Sequence, residues 1–374
     1  MLLRQTPPRW SYFEVMRMNM KDNKDSKSIS KVESFWDKNI KIHSNSRKIS
    51  WLDSQVILYD CLNLLPVDDR RMSITQWILW FKEKYVPKVL ECGLSLGCGD
   101  GTLERHAIQM EICRKMDSYD ISPISVETAN QINKEHGLSD KITCRIGDLN
   151  AIILEKDKYD VIFSSMALHH VSNLAHLFSQ IMKSLKDGGF LLANEYVGPS
   201  QFQWNEKQTK IINDLLKILP KGHKLDSRTG ILKESFAGPS REYMNENDPS
   251  EAIRSDEVIK YISKHFDIVE KIEYGGNILH MLLDGIIANY DEETEYDVAI
   301  LKLLSYIDSI LISEKVMPSD FAVVVARKKE KLCTLGKNRL EEVDNPKIDH
   351  QESYLSSVWN MFRRSLRKKI RRIL

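Results

Sequence analysis

The chain lacks any Cys-x-x-Cys pair, any apolar run long enough to span a bilayer, and any sizeable net charge, and each absence removes a class of function. Its six cysteines, Cys61, Cys92, Cys98, Cys113, Cys144 and Cys333, are scattered. That scatter argues against a zinc ribbon or a dithiol redox motif and fits reduced thiols in a cytoplasmic protein. No stretch approaches the roughly 20 apolar residues of a membrane span. The start, Met1 to Arg9, has no continuous apolar segment of the signal-peptide kind. Lysine plus arginine number 54 against 53 aspartates and glutamates. The molecule therefore carries no overall field to gather nucleic acid. His43, His223, His265 and His280 form no metal-ligand spacing, and the sequence alone points to no metal site.

What is present is patterned. Residues 1–31 read as a disordered lead-in, ending in a stretch rich in Lys, Asp, Asn and Ser. Apolar residues then recur at helical spacing up to Tyr85, so residues 32–86 read as a helical N-terminal cap. From Val89 the pattern alternates. The expected strands are Val89–Leu96, Ser118–Ile121, Lys141–Ile146, Tyr159–Ser164 and Gly189–Glu195. Helices are expected over Thr102–Lys115 and Ser125–His136, the second stopped by Gly137. Repeated βα units imply a parallel sheet covered on both faces. The alternation fails after residue 198, and residues 198–254 read as an insertion over the active site, with a helix at Asn205–Leu219. Ser255–Lys264 then looks helical, Phe266–Tyr274 strand-like, Ile278–Lys315 mostly helical, and Phe321–Arg327 a last strand, closing the domain of residues 87–329. An extension follows over 330–374. Its final helix sets Trp359, Phe362, Leu366, Ile370 and Leu374 on one stripe amid seven Arg and Lys. This is the pattern of an interfacial helix at a membrane surface, or of a helix docked on its own domain or a partner.

The chemistry concentrates where the first strand ends, in Leu94-Ser-Leu-Gly-Cys-Gly-Asp-Gly101. Gly97, Gly99 and Gly101 allow positive φ and the close approach of a flat ligand to the peptide plane. About twenty residues on stands Asp120, where a ribose-binding carboxylate is expected. The dinucleotide fingerprint Gly-x-Gly-x-x-Gly seats a pyrophosphate on a helix N-terminus, but the spacing here is Gly-x-Gly-x-Gly. A hydride-transfer enzyme is accordingly a poor match.

The ordered set formed by that loop, Tyr119-Asp-Ile-Ser122, Gly147-Asp-Leu-Asn150, Phe163-Ser-Ser-Met-Ala-Leu-His-His-Val171 and Leu185-Lys-Asp-Gly-Gly-Phe190 resembles the motifs of class I S-adenosylmethionine-dependent methyltransferases. Asn194-Glu-Tyr-Val-Gly-Pro-Ser200 is similar to a bacterial subgroup of the methyltransferase 11 and 12 type, associated with surface-glycan and natural-product synthesis. The resemblance implies a doubly wound, Rossmann-like seven-stranded α/β sheet whose last strand is antiparallel. It also implies S-adenosylmethionine as cofactor, held by Gly97, Cys98, Gly99, Gly101, Asp120, Ile121, Asp148, Leu149 and Ser164. In this reading Asp120 accepts from the ribose hydroxyls, Ile121 packs on adenine, and Asp148 with the Leu149 amide reads the adenine edge. His169, His170 and Glu195 are the candidate bases for an acceptor that must lose a proton. Tyr196, Gln203 and Trp204 are expected to line the acceptor pocket. The expected activity is methylation of a small-molecule or glycan-precursor acceptor at a hydroxyl, with no nucleic-acid partner and with peripheral membrane contact through residues 359–374. Two other classes compete: a non-catalytic cofactor-binding subunit, and a membrane-surface adaptor built on the basic tail.

Overall fold

The computed structural model describes residues 50–62 and 76–328. The expected lead-in, the start of the expected cap, and the extension with its basic helix lie outside the described residues. Seven strands form one sheet: β1 (Leu90–Leu96), β2 (Cys113–Asp120), β3 (Ile142–Ile146), β4 (Tyr159–Ser165), β5 (Leu185–Tyr196), β6 (Phe266–Gly275) and β7 (Phe321–Lys328). Their order is β3-β2-β1-β4-β5-β7-β6. β1 to β5 pair in parallel, and β7 runs antiparallel to both β5 and β6. This is the doubly wound sheet with an antiparallel final strand that the motifs imply.

Because side chains alternate along a strand, the buried strands feed two cores. On one face Met116, Val161, Phe163, Phe190, Leu192 and Val325 pack with helices α2 (Gln76–Tyr85), α3 (Thr102–Gln109) and α4 (Pro123–Glu135). Phe81 of α2 meets Phe163 and Phe190 edge-on at 6.3 and 5.4 Å, so this helix covers the sheet itself. On the other face Leu94, Ile162, Leu191 and Val324 pack against α5 (Leu174–Ser184) and a later helix, Ser255–His265.

A third core lies in a helical lobe. Helices α6 (Glu206–Ile218) and α7 (Arg241–Asn247) of the insertion precede α8, the Ser255–His265 helix. Between β6 and β7 come α9 (Leu279–Leu283) and α10 (Glu295–Ser313), and α1 (Gln55–Leu62) packs on α10. Their apolar faces bury Ile212, Leu216, Met244, Leu282, Leu283 and Leu301 together with Trp51, Phe202 and Phe321. Asn205, Ser240 and Thr294 cap α6, α7 and α10 through their side-chain oxygens. No helix among the described residues is long and apolar enough to cross a membrane.

Several boundaries differ from the sequence expectation, among them the start of β5, which lies at Leu185 rather than Gly189. The helix expected over Thr102–Lys115 stops at Gln109, and β2 begins at Cys113 rather than Ser118. A Schellman turn ends it: Glu111 takes φ 56°, its amide donates to Ile108 O, and Ile112 N donates to Ala107 O. Glutamate in the left-handed position leaves no glycine signal. The segment expected to be mostly helical over Ile278–Lys315 is broken into α9 and α10, separated by residues 284–294, where a short 3-10 turn lies at Ile287–Asn289.

Candidate active site

The strand ends are level. Leu96 pairs with Tyr119 on one side and Ser164 on the other, Asp120 with Ile146, and Ser165 with Asn194. Whatever follows each strand therefore converges beyond the carboxyl edge, where open α/β sheets bind ligands.

After β1 the chain turns sharply. Gly97 N and Cys98 N both donate to Tyr119 O, tying the loop to β2. Gly97 and Gly99 hold φ of +77° and +51°. They differ in what lies above them. A Cβ on Gly97 would stand 2.7 Å from that of Ala167, whereas one on Gly99 would meet nothing within 4 Å. The space over Gly99 is the cradle a close-lying ligand needs. Gly101, at φ +78°, begins α3. Cys98 turns away into the same apolar core as Cys144 of β3.

Asp120 closes the loop from β2: its Oδ2 accepts from Gly99 N and its Oδ1 from Ser122 N, both at 2.9 Å. Ile121 follows, half-buried. Asp148 spends one oxygen within its own turn, accepting from Asn150 N and Nδ2 at 2.8 and 2.9 Å, and Leu149 is half-buried beside it. Gly97, Gly99, Asp120 and Asp148 thus line adjacent strand ends.

Beyond β4 the chain turns through Met166, at φ 54°, into a 3-10 turn, Leu168–His170. Glu195, buried near the end of β5, organises this turn. Its Oε1 accepts from Ser164 Oγ at 2.6 Å and from Ala167 N and Leu168 N at 3.0 Å, while its Oε2 accepts from His169 Nδ1 at 2.8 Å. With four donors on two oxygens, Glu195 acts through what it orients. Ser164, expected at the cofactor, is buried and donates to Glu195.

The sequence reading missed the other half of the site. Asp248 and Glu251, at the end of the insertion, come down onto the histidine pair. Glu251 Oε1 stands 3.6 Å from His169 Nε2, and its Oε2 stands 3.6 Å from His170 Nε2. The two imidazole rings lie 4.1 Å apart. Burial disfavours charge on His169, but the hydrogen bond it donates to Glu195 and the charges of Glu251, Glu195 and Asp248 outweigh it, so its pKa lies above the ordinary value. His170 goes the other way, held well below that value by burial and by the His169 charge. Burial pushes Glu251 up to about 8, with the neighbouring carboxylates adding to it and His169 opposing, and pushes Asp248 up to about 6. The one sequence signal for these two was a pair of carboxylates flanking Pro249 in an otherwise polar stretch.

The residues expected to line the acceptor pocket are partly committed elsewhere. Tyr196 is buried, its ring 6.1 Å from His169 and its hydroxyl donating to Pro199 O. The Gln203 amide donates to Gln201 O and Pro239 O, fixing the insertion's own loop. Trp204 stacks on Phe202 and donates from Nε1 to Asp320 Oδ2 at 2.9 Å. Tyr196 adjoins the histidine pair, while Gln203 and Trp204 serve the lobe core.

A Rossmann-like sheet with a Gly-x-Gly-x-Gly loop and a carboxylate at the next strand end is the frame of a nucleoside-binding fold. Residues 93–247 match the model of the methyltransferase domain family. This part of the chain is a class I S-adenosylmethionine-dependent methyltransferase domain. Among curated relatives, a malonyl-[acyl-carrier protein] O-methyltransferase of Ilyobacter polytropus is 29% identical over 143 residues, 38% of this chain and 52% of that one. A sterol 24-C-methyltransferase of Debaryomyces hansenii is 30% identical over 32% of this chain and 31% of its own. A sarcosine/dimethylglycine N-methyltransferase of Aphanothece halophytica is 31% identical over 26% and 34% respectively. The chain thus spans about half the length of the first relative and a third of the other two.

Proposed function

We propose that the whole chain is an S-adenosylmethionine-dependent methyltransferase that acts on a hydroxyl of a small-molecule or glycan-precursor acceptor. The observation that carries the acceptor chemistry is the polar cluster past β4 and under the insertion: His169, His170 and Glu251, with Glu195 holding His169 from behind. The relatives' names cover oxygen, carbon and nitrogen acceptors, so the choice among them rests on this chain's own side chains. An acceptor that holds its proton needs such groups, whereas a neutral amine does not.

Bound S-adenosylmethionine supplies an electrophilic methyl group. The protein's own contribution is binding and alignment. The open face above Gly99 takes the ligand against the backbone, Asp120 accepts from the ribose hydroxyls, and Asp148 with the Leu149 amide reads the base. The insertion shields the site from water, and Glu195 fixes the His169 tautomer and ring. Tyr196 packs beside the histidines at the acceptor end.

Isothermal titration with S-adenosylmethionine and with S-adenosylhomocysteine tests the cofactor part: the expectation is micromolar binding that Asp120→Ala weakens at least about tenfold with the fold kept. Absence of heat in the wild-type protein, or an unchanged Kd in the variant, would overturn it. A panel of hydroxylated acceptors, followed by methyl incorporation, tests the rest. His169→Ala is expected to depress kcat by about 10²-fold or more while leaving cofactor Kd unchanged. Full activity in both His169→Ala and His170→Ala would remove the histidine pair from the chemistry.

A further inference from the structure

We propose that His169, His170 and Glu251 form a binding site for a divalent first-row transition ion such as zinc, joining the insertion to the turn after β4. The first argument is distance. Each imidazole Nε2 stands 3.6 Å from a Glu251 oxygen, and one ligand atom from each of the three residues lies within 4.8 Å of the other two. At 3.6 Å neither contact is a hydrogen bond. Two ligands about 2.0–2.1 Å from one ion, at a tetrahedral angle, would stand roughly 3.3 Å apart. Each histidine–glutamate contact is only a few tenths of an ångström wider than that, and the three ligand atoms, now within 4.8 Å of one another, draw in further to share one coordination sphere.

The second argument is the support behind the ligands. His169 donates its other ring N–H to Glu195, whose remaining oxygen is fixed by Ser164 Oγ and two backbone amides. A carboxylate behind a histidine is the arrangement that orients metal-bound imidazoles. Asp248, 2% exposed, keeps one oxygen on Ser250 Oγ, and its other oxygen is buried without a hydrogen-bond partner. The Glu251 amide donates to Asp248 O at 3.3 Å, so Asp248 sits in the turn that carries the glutamate ligand.

The donor set gives the chemical class. Two neutral imidazoles and one carboxylate suit zinc, iron, cobalt or nickel, while magnesium and calcium prefer all-oxygen sites. Two histidines with one glutamate is also a set that leaves a coordination position for an outside ligand. An oxygen of the acceptor would fill it, and the ion would make a bound hydroxyl more acidic. This deepens the hydroxyl reading above, yet the binding claim stands on its own.

The full chain, stripped with chelator and dialysed, is titrated with Zn²⁺ by calorimetry and with Co²⁺ by visible absorption. About one equivalent should bind, and the cobalt bands should be those of nitrogen and oxygen ligands, without the sulfur charge-transfer band that the scattered cysteines would give. Glu251→Gln and His170→Ala should each weaken Zn²⁺ binding at least tenfold, and Glu195→Gln should weaken it by about 10–100-fold through the orientation of His169. S-adenosylmethionine titration and circular dichroism on the same variants verify that the fold is kept. The proposal is overturned if stripped wild-type protein takes up no Zn²⁺, if Mg²⁺ binds and Zn²⁺ does not, if the cobalt spectrum shows thiolate ligands, or if folded Glu251→Gln and His170→Ala bind Zn²⁺ as the wild type does. Methyl transfer that proceeds without metal would remove the ion from the chemistry and leave the methyltransferase reading intact. Tight zinc binding with no methyl transfer to any acceptor would do the reverse.

Discussion

Gly97 and Gly99 are two residues apart in one loop, and single substitutions at them should separate fold from function. Alanine at Gly97 faces both a left-handed backbone and the Ala167 Cβ at 2.7 Å. The cost should be about 2–4 kcal/mol, from roughly 1–2 for the backbone and 1–3 for overpacking, partly shared. Alanine at Gly99 bears only the backbone part, about 1–2 kcal/mol, because its methyl group enters open space. Chemical denaturation should therefore rank Gly97→Ala as the less stable variant. Titration with S-adenosylmethionine should rank Gly99→Ala as the weaker binder relative to its stability loss; equal Kd values for Gly99→Ala and wild type would mean that the ligand does not lie over this residue. At this scale the sequence was most readable in one short segment: the glycine loop and Asp120 are local, and the structure joins them at adjacent strand ends. Glu251 was unreadable because its role depends on a fold that returns residue 251 to residues 169 and 170, and a glutamate in a polar stretch looks like any solvated one. Glu195 was visible as a candidate base, but not its four donors, since those come from the end of another strand and the turn after it.

Helix α10 shows how one side chain can set an element's neighbours. Asp308, 2% exposed, accepts from Ile278 N and Leu279 N on Oδ1 and from Gly276 N on Oδ2, so it caps the start of α9 from outside. Burial outweighs those three donors and raises its pKa to about 6 from 3.8. The other titratable groups that feel its charge are Cys61 and Asp320, both of which it pushes upward. A carboxyl with a raised native pKa holds its proton longer in the folded than in the unfolded chain. Its contribution is fully present below about pH 3.8 and is lost as pH rises through about 6, by up to roughly 3 kcal/mol over that window. Asp308→Asn removes the titration. The unfolding free energy of wild type minus that of the variant should therefore fall between pH 4 and 6.5 and be level above; a difference that is flat or rises across that window would show that the backbone donors prevail over burial. Elements themselves were legible where apolar periodicity and terminators agree, as in α4 with Gly137 or α6 with Asn205. They were misjudged where a terminator is not glycine: Glu111 ends α3 in a left-handed turn, and Ile112, which extends the apparent helical stripe, is the buried residue that leads into β2.

Across the whole molecule, the insertion and the segment between β6 and β7 share one apolar core although β6 and α8 separate them in the chain. Sequence periodicity registers only the loss of βα alternation there, because a core assembled from two distant segments has no local signature. Strand ends knit that lobe to the sheet. Phe321 opens β7, pairs with Tyr196 of β5, and touches the rings of Trp51, Tyr196, Tyr274 and His280 at 5.2 to 5.8 Å. Neither the lobe nor the carboxyl edge of the sheet is complete without these contacts, and the histidine cluster lies at the same edge. The described region should therefore unfold as one cooperative unit. Phe321→Ala, which empties a site between strand and lobe, should cost about 3–5 kcal/mol and shift far-UV dichroism and the loss of S-adenosylmethionine binding together along the urea axis. If cofactor binding and secondary structure instead melt at separate urea concentrations in this variant, the lobe folds as its own unit and the site must be regarded as assembled by docking rather than by folding.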